Sequence, residues 1–177
     1  MTSTLKSLVS VLLALATAST LFHTSSTSPP LRSLIAAIPL AVSALSLLSG
    51  HLVKSWTVGE ILSALVAAAG VWLRTAAVNE LDAFFGYKTT IEKGHRLVNT
   101  GPYSVLLHPA YAGNLLALSS FGHFHHVPTF IQLCVPLITA GVYAARIRRE
   151  EVLLRQHFRE EWDRHAATRW RIVPGVW

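Results

Sequence analysis

Charge is segregated along this chain in a way that few folds tolerate. Between Leu8 and Leu73 the only ionisable residues besides histidines are Arg32, Lys54 and Glu60, and most of the others fall between Arg74 and Arg96 or after Arg146. Uncharged stretches of that length must sit in apolar surroundings, and a bilayer is the solvent that accepts them. Composition agrees: 51% of residues are hydrophobic and 14% are charged, against about 25% charged in ordinary soluble domains, and the mean hydropathy is +0.44. The length of 177 residues suits one domain. We therefore read residues 1–177 as a single all-α, polytopic membrane domain, with its first spans in 1–79 and its chemistry in 80–177.

Five apolar segments can be read, about Leu5 to Phe22, Leu34 to Val53, Val58 to Val78, Tyr111 to Gly122 and Thr129 to Ala145. The run Thr24-Ser25-Ser26-Thr27-Ser28-Pro29-Pro30 ends the first, and Pro39 is a kink site in the second. The fourth is too short to cross a hydrocarbon core of about 30 Å as a straight helix. It forms a helical hairpin with the fifth through Gly122 to Pro128. Non-helical backbone at membrane depth is tolerated only where protein or a polar cavity surrounds it, so residues 101–109 are expected to dip inward and line a pocket. From Arg146 onward the pattern continues as a cytosolic helix, with Val152, Leu153, Phe158 and Trp162 making apolar contacts until Pro174-Gly175 ends it. Five spans with Arg32, the 74–96 region and the tail on one side put every Lys and Arg except Lys6 and Lys54 in the cytosol. A competing reading makes residues 1–28 a cleaved signal peptide.

The formal net charge of +6 suits an anionic membrane surface better than nucleic acid, because the basic residues flank apolar segments and form no aromatic-interleaved groove. A single cysteine, Cys134, excludes an intrachain disulfide and a cysteine-based zinc site. His123, His125 and His126 resemble a metal cluster, but no carboxylate lies near them in sequence, and an exposed hairpin loop is the favoured reading. No resident metal is expected. The arginines at 148, 149, 155, 159, 164, 169 and 171 read as a solvated or headgroup-facing surface.

Two blocks carry the candidate chemistry: His95-Arg96-Leu97-Val98-Asn99-Thr100-Gly101-Pro102-Tyr103 followed by His108-Pro109-Ala110-Tyr111-Ala112-Gly113, and Arg146-Ile147-Arg148-Arg149-Glu150-Glu151 running on to Phe158. Taken singly they have plain explanations. Arg146 and Glu150 at i,i+4 make an ordinary helix-surface pair, His108-Pro109 starts a helix, and Tyr103 and Tyr111 suit an interfacial belt. Taken in order and with these gaps, they resemble the isoprenylcysteine carboxyl methyltransferase family of integral membrane enzymes over about residues 80–177.

That resemblance implies S-adenosylmethionine as cofactor, in a pocket capped from the cytosol and surrounded by His95, Arg96, Leu97, Val98, Tyr103, His108, Pro109, Ala110 and Tyr111. Lys88 would be a further contact. Glu150 would take the cofactor's ammonium, and Arg146 would hold a substrate carboxylate as the catalytic residue. The implied substrate is a prenylated cysteine, on a protein or in a small lipid thioether, reached from the membrane lipid at the endoplasmic reticulum. Phospholipid amine methylation and a non-catalytic protein of the same fold are the alternatives. A carboxylate is ionised near neutral pH and needs no general base, so alignment of donor and acceptor would supply most of the rate. An amine must first lose a proton, a task open to His95 or His108. Two positions depart from the family pattern: Leu107 replaces an arginine before His-Pro, and Arg159 replaces a glycine after Phe158. Arg96 and Arg74 are candidates to offset the first.

Overall fold

The structure is a computed structural model that describes residues 6–11, 14–15, 56–81 and 97–176. The second apolar segment, the Ser/Thr/Pro loop, most of the first segment and residues 82–96 lie outside these, and with them Lys88, His95 and Arg96. Among the described residues the fold is all-α, with one isolated parallel bridge between Leu106 and Trp170.

Helix α1 spans Val58–Leu81, α2 spans Pro109–Phe124, α3 spans Thr129–Phe158 and α4 spans Glu160–Ala167; a 3₁₀ turn covers Gly101–Ser104. Two of these, α1 and α3, are long and apolar enough to cross a membrane. Helix α2 has 16 residues, about 24 Å, and so confirms the short fourth segment. Helix α3 confirms that the fifth segment continues beyond Arg146. Its outward surface carries Phe130, Leu133, Leu137, Ile138 and Val142, all exposed, as a lipid-facing helix requires. Val152, expected to be an apolar contact, is also exposed, whereas Trp162 is buried.

Helix α1 begins with a reciprocal capping box. The Glu60 amide donates to Thr57 Oγ1 at 3.2 Å, and the Thr57 amide donates to Glu60 Oε2 at 2.8 Å. The other Glu60 oxygen, Oε1, pairs with Lys6 of the N-terminal helical residues and lies 2.9 Å from His126 Nε2. The histidine loop is thus not simply an exposed one. His125 is buried against Phe121 and Phe124, and His126 meets a carboxylate contributed by α1. That carboxylate lies 66 residues away in sequence, beyond the reach of local motif spacing.

Helices α1 and α2 pack antiparallel along small residues. Ser63, Ala67, Gly70, Arg74 and Ala77 are among the buried positions of α1, and Ala110, Gly113, Ala117 and Ser120 are among those of α2. The alternating steps of three and four residues keep each set on one helix face. The backbones touch where Gly70 and Gly113 cross. A Cβ on Gly113 would lie 2.5 Å from the Gly70 carbonyl oxygen, and one on Gly70 would lie 2.6 Å from the Gly113 oxygen. Small residues permit this approach in membranes, where dispersion and close packing replace the hydrophobic effect.

The carboxyl-terminal region departs from the expected continuous helix. Arg159, at φ 50° and ψ −121°, breaks the chain between α3 and α4, and α4 ends at Ala167 rather than at Pro174. Residues after it return along the segment that precedes α2. The Leu107 amide donates to the Trp170 carbonyl at 2.7 Å, the His108 amide to that of Arg171 at 2.9 Å, and the Trp170 amide to that of Val105 at 3.2 Å. Ile172 is buried with Leu106, Ala112, Tyr143 and Ile147, a burial worth about 1.5–3 kcal/mol. Residues 106–108 before α2 are therefore irregular and buried, and the tail supplies partners that their backbone would otherwise lack.

Candidate functional site

Three helices bring their polar residues to one end of the molecule. The second half of α1, the start of α2 and the last turns of α3 meet there, and the tail closes over them. Glu150 lies about 32 Å along α3 from Thr129, which is beyond a hydrocarbon core of about 30 Å. Its carboxylate is held at one oxygen: Oε1 accepts the Tyr111 hydroxyl at 2.6 Å and the Arg146 Nε–H at 2.9 Å. The plain i,i+4 pair is thus present, extended by a tyrosine from another helix. The Arg146 guanidinium also stands over the Tyr111 ring, 5.9 Å from its centroid, within cation–π range.

The Glu150 Oε2 atom faces His108 Nδ1 across 3.9 Å, too far for a hydrogen bond. His108 is buried at the amino-terminal edge of α2, where Pro109 occupies the first helical position. Its Nε2 lies 3.3 Å from Glu151 Oε1. Tyr111 packs against Tyr143 with ring centroids 4.6 Å apart, and Asn114 donates to the Tyr143 hydroxyl. The 3₁₀ turn carries Tyr103 inward to pack with Ala77 and Ala110, with Val98 alongside. Burial pushes the Tyr103 phenol well above its ordinary pKa, and the negative charge of Glu150 adds to this. Tyr103 therefore stays a neutral hydroxyl at physiological pH.

Of the sequence-derived candidates, His108, Tyr111, Arg146 and Glu150 converge directly. Tyr103, Pro109 and Ala110 are buried beside them, while Leu97 and Val98 are half-buried. Lys88, His95 and Arg96 fall outside the described residues. Leu107 is buried. Arg74, a candidate to offset the missing arginine, is buried too, with Nη1 donating to the Ala110 carbonyl at 3.4 Å.

Tyr143, Asn114 and two tail arginines were not among the sequence-derived candidates, and Glu151 stood in the second motif block without a role. Arg171 donates Nε to Glu151 Oε1 at 2.9 Å and Nη2 to Oε2 at 3.2 Å, and Arg169 donates Nε to the Tyr103 carbonyl at 2.9 Å. These two were assigned to a solvated surface; both are half-buried and bonded inward. Only the fold-back of the tail, invisible to helical periodicity, brings them here.

The residues suit an S-adenosylmethionine site. Glu150 Oε2 and His108 Nδ1 lie 3.9 Å apart, a spacing at which one ammonium could donate to both with N–H bonds of ordinary length. Tyr111, half-buried beside Glu150, offers an aromatic surface for a sulfonium or an adenine. Arg146 carries a planar array of N–H donors next to Glu150 and Tyr111.

Comparison with known proteins gives the same direction. The isoprenylcysteine carboxyl methyltransferase (ICMT) family pattern matches residues 61–156. The chain is 30% identical over 130 residues to a probable protein-S-isoprenylcysteine O-methyltransferase of Oryza sativa subsp. indica, covering 68% of this chain and 63% of that protein. It is also 30% identical over 129 residues to the nickel-cobalt-cadmium resistance protein NccN of Alcaligenes xylosoxydans xylosoxydans, covering 73% of this chain and 58% of that one. The chain thus spans about three fifths of the length of these curated relatives. No solved structure matches. The two long apolar helices and the family together point to an integral membrane protein, and the chain belongs to the isoprenylcysteine carboxyl methyltransferase family.

Proposed function

We propose that the protein methylates the carboxylate of a prenylated cysteine, using S-adenosylmethionine, with its active site at the cytosolic face of the endoplasmic reticulum membrane. The observation that carries the reading is the clasp on Glu150. Tyr111 and Arg146 engage one oxygen, and the other faces His108 Nδ1 across 3.9 Å. When bound, the cofactor supplies a methyl group on sulfonium, which passes to the carboxylate oxygen as the carbon–sulfur bond breaks.

The protein's own residues have the remaining tasks. Glu150 and His108 receive the cofactor's ammonium. Tyr111 shields the sulfonium from water, and Arg146 orients the acceptor carboxylate through its N–H donors. No residue has to remove a proton, because the acceptor arrives ionised. Holding donor and acceptor in line is the source of rate. The exposed apolar faces of α1 and α3 suit lateral entry of a prenyl chain from lipid.

The test is methyl transfer by the purified full chain to N-acetyl-farnesylcysteine and to phosphatidylethanolamine, measured side by side. Base-labile ester from the first substrate, strongly reduced in Arg146→Ala, is the expected result. Transfer into the phospholipid alone would favour amine methylation with His108 as base. Full activity of Arg146→Ala on the farnesyl substrate would overturn the role given to that residue.

A further inference from the structure

His108 is held twice by one distant residue. The Arg171 carbonyl accepts the His108 amide at 2.9 Å, which fixes the backbone where the chain enters α2. The Arg171 side chain grips Glu151 through two N–H donors, at 2.9 and 3.2 Å. Glu151 in turn lies 3.3 Å from His108 Nε2. A side-by-side contact of this kind locks a carboxylate's orientation as well as its charge, and an ionised carboxylate can only accept hydrogen bonds. The proton at that contact therefore belongs to Nε2. In a neutral imidazole this leaves Nδ1 as an acceptor, and Nδ1 is the atom turned toward Glu150.

We infer that Arg171 is a positioning residue that, through Glu151, fixes His108 as the Nε2–H tautomer, so that Nδ1 and Glu150 Oε2 together form the acceptor pair for a ligand's ammonium. A carboxylate behind a histidine plays the same part at metal sites, where it sets ring orientation and tautomer. The tail is thereby more than packing, because it determines which nitrogen of His108 faces the site. The ligand half of the inference rests on the methyltransferase reading; the tautomer half stands without it.

The two halves have separate readouts. In the full chain labelled with ¹⁵N-histidine and assigned by His108→Gln, the wild type should show a protonated Nε2 and an unprotonated Nδ1. Arg171→Ala should shift His108 toward a tautomer mixture, and Arg171→Lys should restore part of the wild-type signal. Glu151→Gln leaves Arg171 and its backbone contacts in place but offers an amide donor to Nε2, so it should raise the Nδ1–H form. The KM for S-adenosylmethionine should rise at least tenfold in Arg171→Ala, with kcat changing less, and recover in part in Arg171→Lys. A proton on Nδ1 in the wild type, or an unchanged tautomer in both Arg171→Ala and Glu151→Gln, would overturn the inference. An Arg171→Ala enzyme with unchanged KM would remove its ligand half. A wild type that binds no S-adenosylmethionine would instead sink the methyltransferase reading and leave the tautomer result to stand alone.

Discussion

Replacing Gly113 by alanine tests the helix crossing on which the site is built. The added Cβ would sit 2.5 Å from the Gly70 carbonyl oxygen and 2.7 Å from the Arg74 amide nitrogen. That is roughly 1 Å inside van der Waals separation. Both neighbours are backbone atoms of a helix and cannot rotate away, so α1 and α2 have to part by a comparable distance. Overpacking of this kind costs about 1–3 kcal/mol, which corresponds to a fall of about 2–12 °C in Tm for a chain of this size. Gly141→Ala is the internal control. Nothing lies within 4 Å of its Cβ position, and removing a glycine from a helix interior is worth roughly 0.5–1 kcal/mol. Thermal unfolding of the full chain in one detergent, followed by tryptophan fluorescence, should show Gly113→Ala destabilised and Gly141→Ala unchanged or more stable. Methyl transfer should fall in Gly113→Ala as well, because α2 carries Tyr111 to Glu150. Equal melting temperatures for the two variants would refute the close crossing.

Two further outcomes follow from the tail. Arg159 occupies a backbone conformation that favours glycine, with φ 50° and ψ −121°, at a strain of about 1–3 kcal/mol. Arg159→Gly should relieve it, less the 0.4–1 kcal/mol or so that glycine adds to the unfolded chain's freedom, and a higher Tm is the expected reading. His165 is 8% exposed beside Trp162. Burial, with the nearby Arg169 charge, lowers its pKa from 6.5 to about 4. Above pH 6.5 the ring is neutral whether folded or unfolded. Between pH 6.5 and 4 only the unfolded chain takes up the proton, so stability falls as pH falls. His165→Gln should flatten that part of the Tm-against-pH curve, and an unchanged slope would contradict the assignment.

The parts of the fold that were legible in sequence are those dictated by the bilayer. Uncharged stretches gave α1 and α3, and the early arrival of Gly122 and His123 gave the short α2 and its hairpin. The grouping of His108, Tyr111, Arg146 and Glu150 was legible from ordered motifs, and their contacts agree with it. The return of residues 168–173 along 105–108 was not. Its hydrogen bonds join irregular segments some sixty residues apart, so neither helical nor strand periodicity marks them. Arg159 hid the break before α4, because an arginine gives no turn signal where a glycine would have given one. The meeting of Glu60 with His126 was hidden for a related reason: the antiparallel packing of α1 and α2 is what brings a helix start next to a distant loop.

Binding of S-adenosylmethionine through Glu150, at the end of the molecule formed by α2, α3 and the tail, underlies the proposed function. Calorimetric titration of S-adenosylhomocysteine into the purified full chain in lipid nanodiscs tests it most directly, comparing wild type with Glu150→Gln. Saturable binding to the wild type and at least a tenfold weaker Kd in the variant are expected, the order for losing a charged hydrogen-bond partner worth about 1.5–3 kcal/mol. No binding to the wild type, or equal affinity in the two proteins, would contradict it.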